Sequence, residues 1–143
     1  MLKHTLKKMF LVIVMSVFTI NVHAADWTMA SGYPKSNFHT QNIMKFIDEV
    51  KANTSVNINL NENDTLIKID AIKTALQRGQ IPIGEIRLGI YGNEDPMYIL
   101  AGLPFIAPDY SSAWLLKDVQ MGYLQEKFGK KGLMILYTSP WPG

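Results

Sequence analysis

The sequence predicts an α/β fold with a mainly parallel sheet and helices on both faces of that sheet. Short apolar runs of strand character alternate with longer segments whose apolar residues recur at helical spacing. The predicted order is β-α-β-α-β-loop-α-β. A helix between successive strands acts as a crossover, and crossovers join parallel neighbours. Right-handed crossovers then distribute the helices over both faces.

Trp27 to Ala30 reads as the first strand, ended by the turn-forming Ser31-Gly32-Tyr33-Pro34. Ser36 or Asn37 caps a helix running through Ala52, with Ile43, Phe46, Ile47 and Val50 on its apolar side. Val56, Ile58 and Leu60 alternate with Asn57 and Asn59, the period of a strand with one wetter face. A second helix is expected from Asp64 or Thr65, burying Leu66, Ile69, Ile72, Ala75 and Leu76 and ending at Gly79. Ile81 to Leu88 reads as the third strand, with Pro82 near its start where a missing N–H is tolerated. A turn-rich loop, Gly89 to Pro96, leads into the apolar stretch Ile99 to Ala107. Caps within Asp109 to Ser112 open a third helix reaching about Phe128, and Gly132 to Tyr137 reads as a fourth strand.

The first 24 residues have the physics of an export leader. Lys3, Lys7 and Lys8 precede an apolar run, Met9 to Ile20, and Val22-His23-Ala24 offers a small-x-small exit with cleavage expected after Ala24. Twelve helical residues rise about 18 Å, short of the roughly 20 residues that span a bilayer core. The mature segment, residues 25–143, then carries 11 basic against 12 acidic residues and no cysteine. No basic patch for nucleic acid survives, and stability rests on the core without disulfides. The absence of a lipid-attachment cysteine and the leader together place the product, as a soluble protein, in a periplasm.

No signature of catalysis or of a cofactor is present. His39 is the one histidine after the leader, so the donors of a zinc site are missing. There is no G-x-S-x-G elbow, Walker loop or G-x-G-x-x-G turn. The neighbouring carboxylates Glu94 and Asp95, in a Gly-Asn-Glu-Asp-Pro turn, read as capping groups. In parallel sheets ligands collect beyond the carboxyl ends of the strands, which nominates Ser31 to Asn37, Glu85 to Asn93 and Ser139 to Gly143. Glu85 stands out, because a carboxylate in an apolar strand end is costly unless paired or wet. It either pairs with Arg87 or Lys73, or serves a cleft. Tyr33, Phe38, Tyr91 and Trp141 are aromatics that packing alone would explain singly but that together suit a pocket wall; Ser31, His39 and Asn93 lie in or beside the same loops, and His39, near a helix start, reads equally as a structural or surface residue.

Four segments resemble the substrate-binding subunits of tripartite ATP-independent periplasmic (TRAP) transporters, the DctP-like dicarboxylate-binding-protein family. They are Trp27 to Val50, Ala71 to Ile81, the Leu103-Pro104-Phe105-Ile106-Ala107-Pro108-Asp109-Tyr110 stretch, and Lys131 to Tyr137. The resemblance implies a two-lobed clamp of which residues 25–143 are the first lobe, a monomeric, cofactor-free receptor for a small organic acid, and the transporter's membrane subunits as partners. It also implies a cleft role for Glu85, either hydrogen-bonding the ligand or orienting an arginine that binds it. The family's principal carboxylate-binding arginine falls about where this sequence stops, and no arginine follows Arg87. The chain is therefore expected to be a truncated portion that binds ligand weakly or not at all by itself. Two other readings stay open: a receptor that reports to a sensor kinase, and a small periplasmic interaction or assembly protein complete at this length.

Overall fold

The computed structural model describes residues 25–141; the expected leader over 1–24 lies outside the described residues. Strand β1, Ala25–Ala30, occupies the centre of a three-stranded sheet ordered β2-β1-β3, and both of its pairings are parallel. Strand β2, Val56–Asn61, pairs with β1 along its whole length, Ala25 opposite Val56 and Ala30 opposite Asn61. Strand β3 is only Ile83–Gly84, opposite Met29 and Ala30.

Helix α1, Phe38–Asn53, connects β1 to β2. Asn37 caps it by accepting the His39 N–H at 2.9 Å, and Thr54 ends it by returning its N–H to the Val50 carbonyl. Alternation along β1 explains why helices cover both faces. Met29 points to the side where Ile43 of α1, Ile58 and Ile83 close one core. Ala30 points the other way, to a core with Ile72, Ala75 and Ile81. Ile72 and Ala75 lie on helix α2, Ile72–Gln77. The asparagines of β2 fall on the less apolar side as their alternation requires, and Asn57 donates to Asp26 at 2.8 Å.

Helix α3, Tyr110–Gly129, is capped by Asp109, which accepts the Ser112 N–H at 2.8 Å. Its C-terminal half packs Leu124 and Phe128 against Tyr91 and Tyr98, forming a third core under the long loop. Two 3-10 turns, Leu88–Tyr91 and Pro96–Gly102, shape that loop.

Three expectations need correction. The second helix begins at Ile72, not at Asp64 or Thr65. Asn63 and Asp64 adopt left-handed backbone at φ 57° and 58°, and the Asp64 carboxylate captures the Ile69 N–H at 2.8 Å, holding the intervening residues in a loop. The third strand spans two residues, not eight, because β1 turns away at Ser31 and supplies no further partner after the Glu85 N–H reaches the Ala30 carbonyl. The fourth expected strand, Gly132 to Tyr137, forms no ladder among the described residues. Its start is bound instead to α3, through Leu133 N–H to the Phe128 carbonyl and Gln125 Nε2 to the Ile135 carbonyl.

Candidate functional site

The carboxyl ends of β1 and β3 point the residues that follow them, Ser31 and Glu85, at each other. Ser31 is fully buried, and its hydroxyl donates to Glu85 Oε2 at 2.5 Å. Burial pushes the Glu85 carboxyl pKa up from 4.5, and the Ser31 hydrogen bond pulls in the opposite direction with less effect. The ion pairs proposed for Glu85 do not form. Lys73, 3% exposed, pairs with Glu94 and sits 3.9 Å over the Tyr91 ring. Arg87 stays on the groove side, close enough to draw the Tyr33 hydroxyl pKa down against the larger upward push of burial.

Glu85 opens onto a groove of about 1310 Å³ running between α1, the end of the sheet and α3. Tyr33, His39 and Trp141 also line it, with Arg87 and Lys117 as basic groups. Four rings cluster at one end: Tyr33, His39 and Trp141 line the groove, and Phe38 lines a neighbouring hollow. His39 lies against Phe38 at 4.1 Å between centroids and stacks on Tyr33 at 5.6 Å. Trp141 meets His39, Tyr33 and Phe38 edge-on at 4.5, 5.4 and 5.5 Å. Such offset and edge-to-face arrangements suit aromatic quadrupoles. Burial lowers the His39 pKa below 6.5, so its imidazole is neutral at pH 7.

Buried polar atoms without a hydrogen-bond partner are informative, since native interiors satisfy nearly all of theirs. Tyr33 Oη, His39 Nε2 and Thr138 Oγ1 are in that condition, and all three residues line the groove. Thr138 and its neighbour Tyr137 were not singled out in the sequence. Tyr137 packs on Phe46 at 5.4 Å, and burial, seconded by the Glu85 charge, raises its hydroxyl pKa. The only available signal was their position just before the nominated Ser139 to Gly143 loop.

Six nominated residues, Ser31, Tyr33, Phe38, His39, Glu85 and Trp141, come together here. Tyr91 and Asn93 do not. Tyr91 is buried in the third core, its hydroxyl shared between the carbonyls of Ile69 at 3.3 Å and Asp70 at 3.1 Å. Asn93 is exposed in the loop away from the groove lining. Asp95 and Glu94 act as structural acids: Asp95 caps the second 3-10 turn through the Met97 N–H at 3.0 Å, and Glu94 joins Lys73 to Lys131. Among the described residues no group of three or more His, Cys, Asp or Glu side chains is gathered to hold a metal, and no helix is long and apolar enough to cross a membrane.

No protein-family model and no curated protein matches the sequence. Among solved structures it is similar to DctP6 of Bordetella pertussis, an extracytoplasmic solute receptor binding pyroglutamic acid. The identity is 38% and the TM-score 0.80, with 82% of this chain and 40% of that one covered. DctP7 of the same organism, also a receptor binding pyroglutamic acid, matches at 36% and TM-score 0.79, covering 83% and 40%. A TRAP solute-binding protein from a marine metagenome, specific for pyroglutamate, matches at 33% and TM-score 0.80, covering 85% and 40%. The chain thus spans about two fifths of the length of these receptors. With that identity over more than four fifths of its own length, and with the same parallel α/β scaffold, the chain belongs to the DctP-like family of TRAP solute receptors.

Proposed function

We propose that this chain supplies one wall of the cleft of a periplasmic receptor that captures a small organic acid and delivers it to a TRAP-type membrane transporter. Residues 1–24 direct export, and residues 25–143 act as the first lobe. The observation that carries the reading is the Ser31–Glu85 pair at the carboxyl ends of β1 and β3, facing a groove where three buried polar atoms have no partner. A site of mixed apolar and polar lining that leaves hydrogen-bonding capacity unused is suited to a small polar ligand.

Pyroglutamate, or a cyclic acid much like it, is the ligand class that best fits this wall. The receptors at 33–38% identity to this chain bind it. Glu85, with one oxygen held by Ser31, has acceptor capacity left for a ring N–H. Arg87 and Lys117 bring positive charge to the groove for a ligand carboxylate. The second lobe of a longer protein would complete the enclosure, since one wall cannot bury most of a ligand's surface.

Uptake of labelled pyroglutamate by cells carrying or lacking this reading frame tests the transport role. Loss of uptake on deletion, restored by the gene but not by its Glu85→Ala form, is the expected result. Unchanged uptake in the deletion strain would contradict the proposal. A sensor-kinase gene beside the reading frame, with no membrane-subunit genes there, would favour signalling over transport.

A further inference from the structure

We propose that Tyr33 and His39, with Phe38 packed against His39, form a subsite for the planar ring of the ligand, that Trp141 occupies its mouth when no ligand is bound, and that His39 Nε2 and Tyr33 Oη hydrogen-bond the ring's polar edge. This inference rests on the reading of the groove as an organic-acid site and adds to it which residues recognise the ring.

Two independent observations converge on this end of the groove. The first is polar. His39 is 6% exposed and its Nε2 has no partner, nor has Tyr33 Oη. A buried group left unsatisfied is destabilising, and here two such groups come from residues whose rings stack on each other. A neutral imidazole nitrogen and a phenol can each donate or accept, so together they match the carbonyl and N–H of a cyclic amide.

The second observation concerns Trp141. Its indole touches all three rings edge-on yet remains 49% exposed, so it caps the cluster from outside and does not fill a core. The segment that carries it is anchored upstream of the indole, where Tyr137 packs on Phe46. Among the described residues, the hydrogen bonds that tie residues 133–141 to α3 lie at Leu133 and Ile135, both well before Trp141. Local displacement of such a segment costs little compared with opening the sheet. A flat ligand ring entering against His39 takes over the aromatic contact that Trp141 makes and gives the two orphaned atoms partners that the indole does not supply.

The test is an NMR titration of the 143-residue chain, labelled with carbon-13 in its histidine and tryptophan rings and with nitrogen-15 in its backbone. Pyroglutamate is added to tens of millimolar, with open-chain glutarate as the comparison. The expected result is that His39 and Trp141 ring signals move on one saturable curve with pyroglutamate, while glutarate leaves Trp141 in place. His39→Gln should weaken that curve about tenfold, the loss of one to two good hydrogen bonds. Trp141→Leu, which removes the competing ring, should tighten it a few-fold as read at His39. If Ser31 and Glu85 amide signals respond while His39 and Trp141 stay fixed, the ring subsite is wrong and the organic-acid reading survives. If no signal responds to either acid, the ring subsite fails, and the organic-acid reading is decided by the uptake experiment.

Discussion

Ser31 Oγ and Glu85 Oε2 lie 2.5 Å apart, one hydrogen bond joining the first residue beyond β1 to the first residue beyond β3. This bond fixes where the one carboxylate among the groove's described lining residues points. It also lets that carboxylate remain in a position where burial works against its charge.

Ser31→Ala should therefore destabilise the fold by about 2 kcal/mol, the scale of a hydrogen bond to a charged partner. Glu85→Gln keeps an acceptor for Ser31 and removes a partly buried charge, so at pH 7 it should be at least as stable as the wild type while losing ligand. Chemical denaturation of both variants checks this. An unstable Glu85→Gln protein would show that the carboxylate has a structural partner other than Ser31.

The two shifted groups of the groove give opposite pH dependences. Glu85 has a folded pKa above its ordinary 4.5, so the folded state holds the proton more tightly. Its contribution is full below 4.5 and is lost as pH rises through the folded value. His39 has a folded pKa below 6.5, so the unfolded state binds the proton more readily. Its contribution is full above 6.5 and is lost as pH falls through the folded value. Urea unfolding between pH 4 and 8 should show His39→Gln flattening the acid-side loss and Glu85→Gln flattening the loss on raising pH from 4.5. Identical profiles for all three proteins would refute the burial of both groups.

Core packing at the sheet end makes a coupled prediction. A Cβ added at Gly84 would lie 2.7 Å from Ile72 Cγ2, and Ile72 is fully buried. Gly84→Ala should cost about 1–3 kcal/mol through overpacking. Ile72→Leu removes the branch methyl at similar volume, so the alanine should cost less in that background, a departure from additivity expected of touching residues. Ile72→Ala alone should cost about 3 kcal/mol.

The loop beneath α3 depends on Asp95. Its carboxylate accepts from Tyr123 Oη at 2.5 Å, pairs with Lys127 at 3.0 Å and caps the turn at Met97, and these contacts hold its pKa down to about 2. Asp95→Ala should lower the melting temperature more than Tyr123→Phe does. Because the folded pKa is depressed, the Asp95 contribution persists above 3.8 and disappears only as pH falls towards 2. Equal melting of wild type and Asp95→Ala at neutral pH would contradict the role.

Much of the scaffold was legible because periodicity records burial directly. The stripe on α1, the alternation in β2, the Asp109 cap and the left-handed Gly79 at φ 66° all stand where local pattern put them. The errors arose where a tertiary contact overrules the pattern. Leu66 and Ile69 have helical spacing, yet Asp64 captures a backbone N–H and holds them in a loop. Gly132 to Tyr137 has strand composition, but a strand also needs a partner edge, and β3 is two residues long. At the site, residues immediately beyond strands were recognisable from position alone. Tyr91 misled because an aromatic in a loop looks the same whether it faces a ligand or, as here, carries a buried lysine over its ring. Thr138 carried no pattern, and its unpartnered hydroxyl is visible only in three dimensions.

The central claim is that Ser31, Glu85 and the ring cluster form one wall of an organic-acid cleft. Its most direct test is a backbone amide shift map of the chain titrated with pyroglutamate. The prediction is saturable, weak binding in the millimolar range, with shifts confined to Ser31–Tyr33, His39, Glu85–Arg87 and Thr138–Trp141. Shifts centred on the Tyr91–Asp95 loop with the groove residues unmoved, or micromolar affinity in the isolated chain, would contradict it.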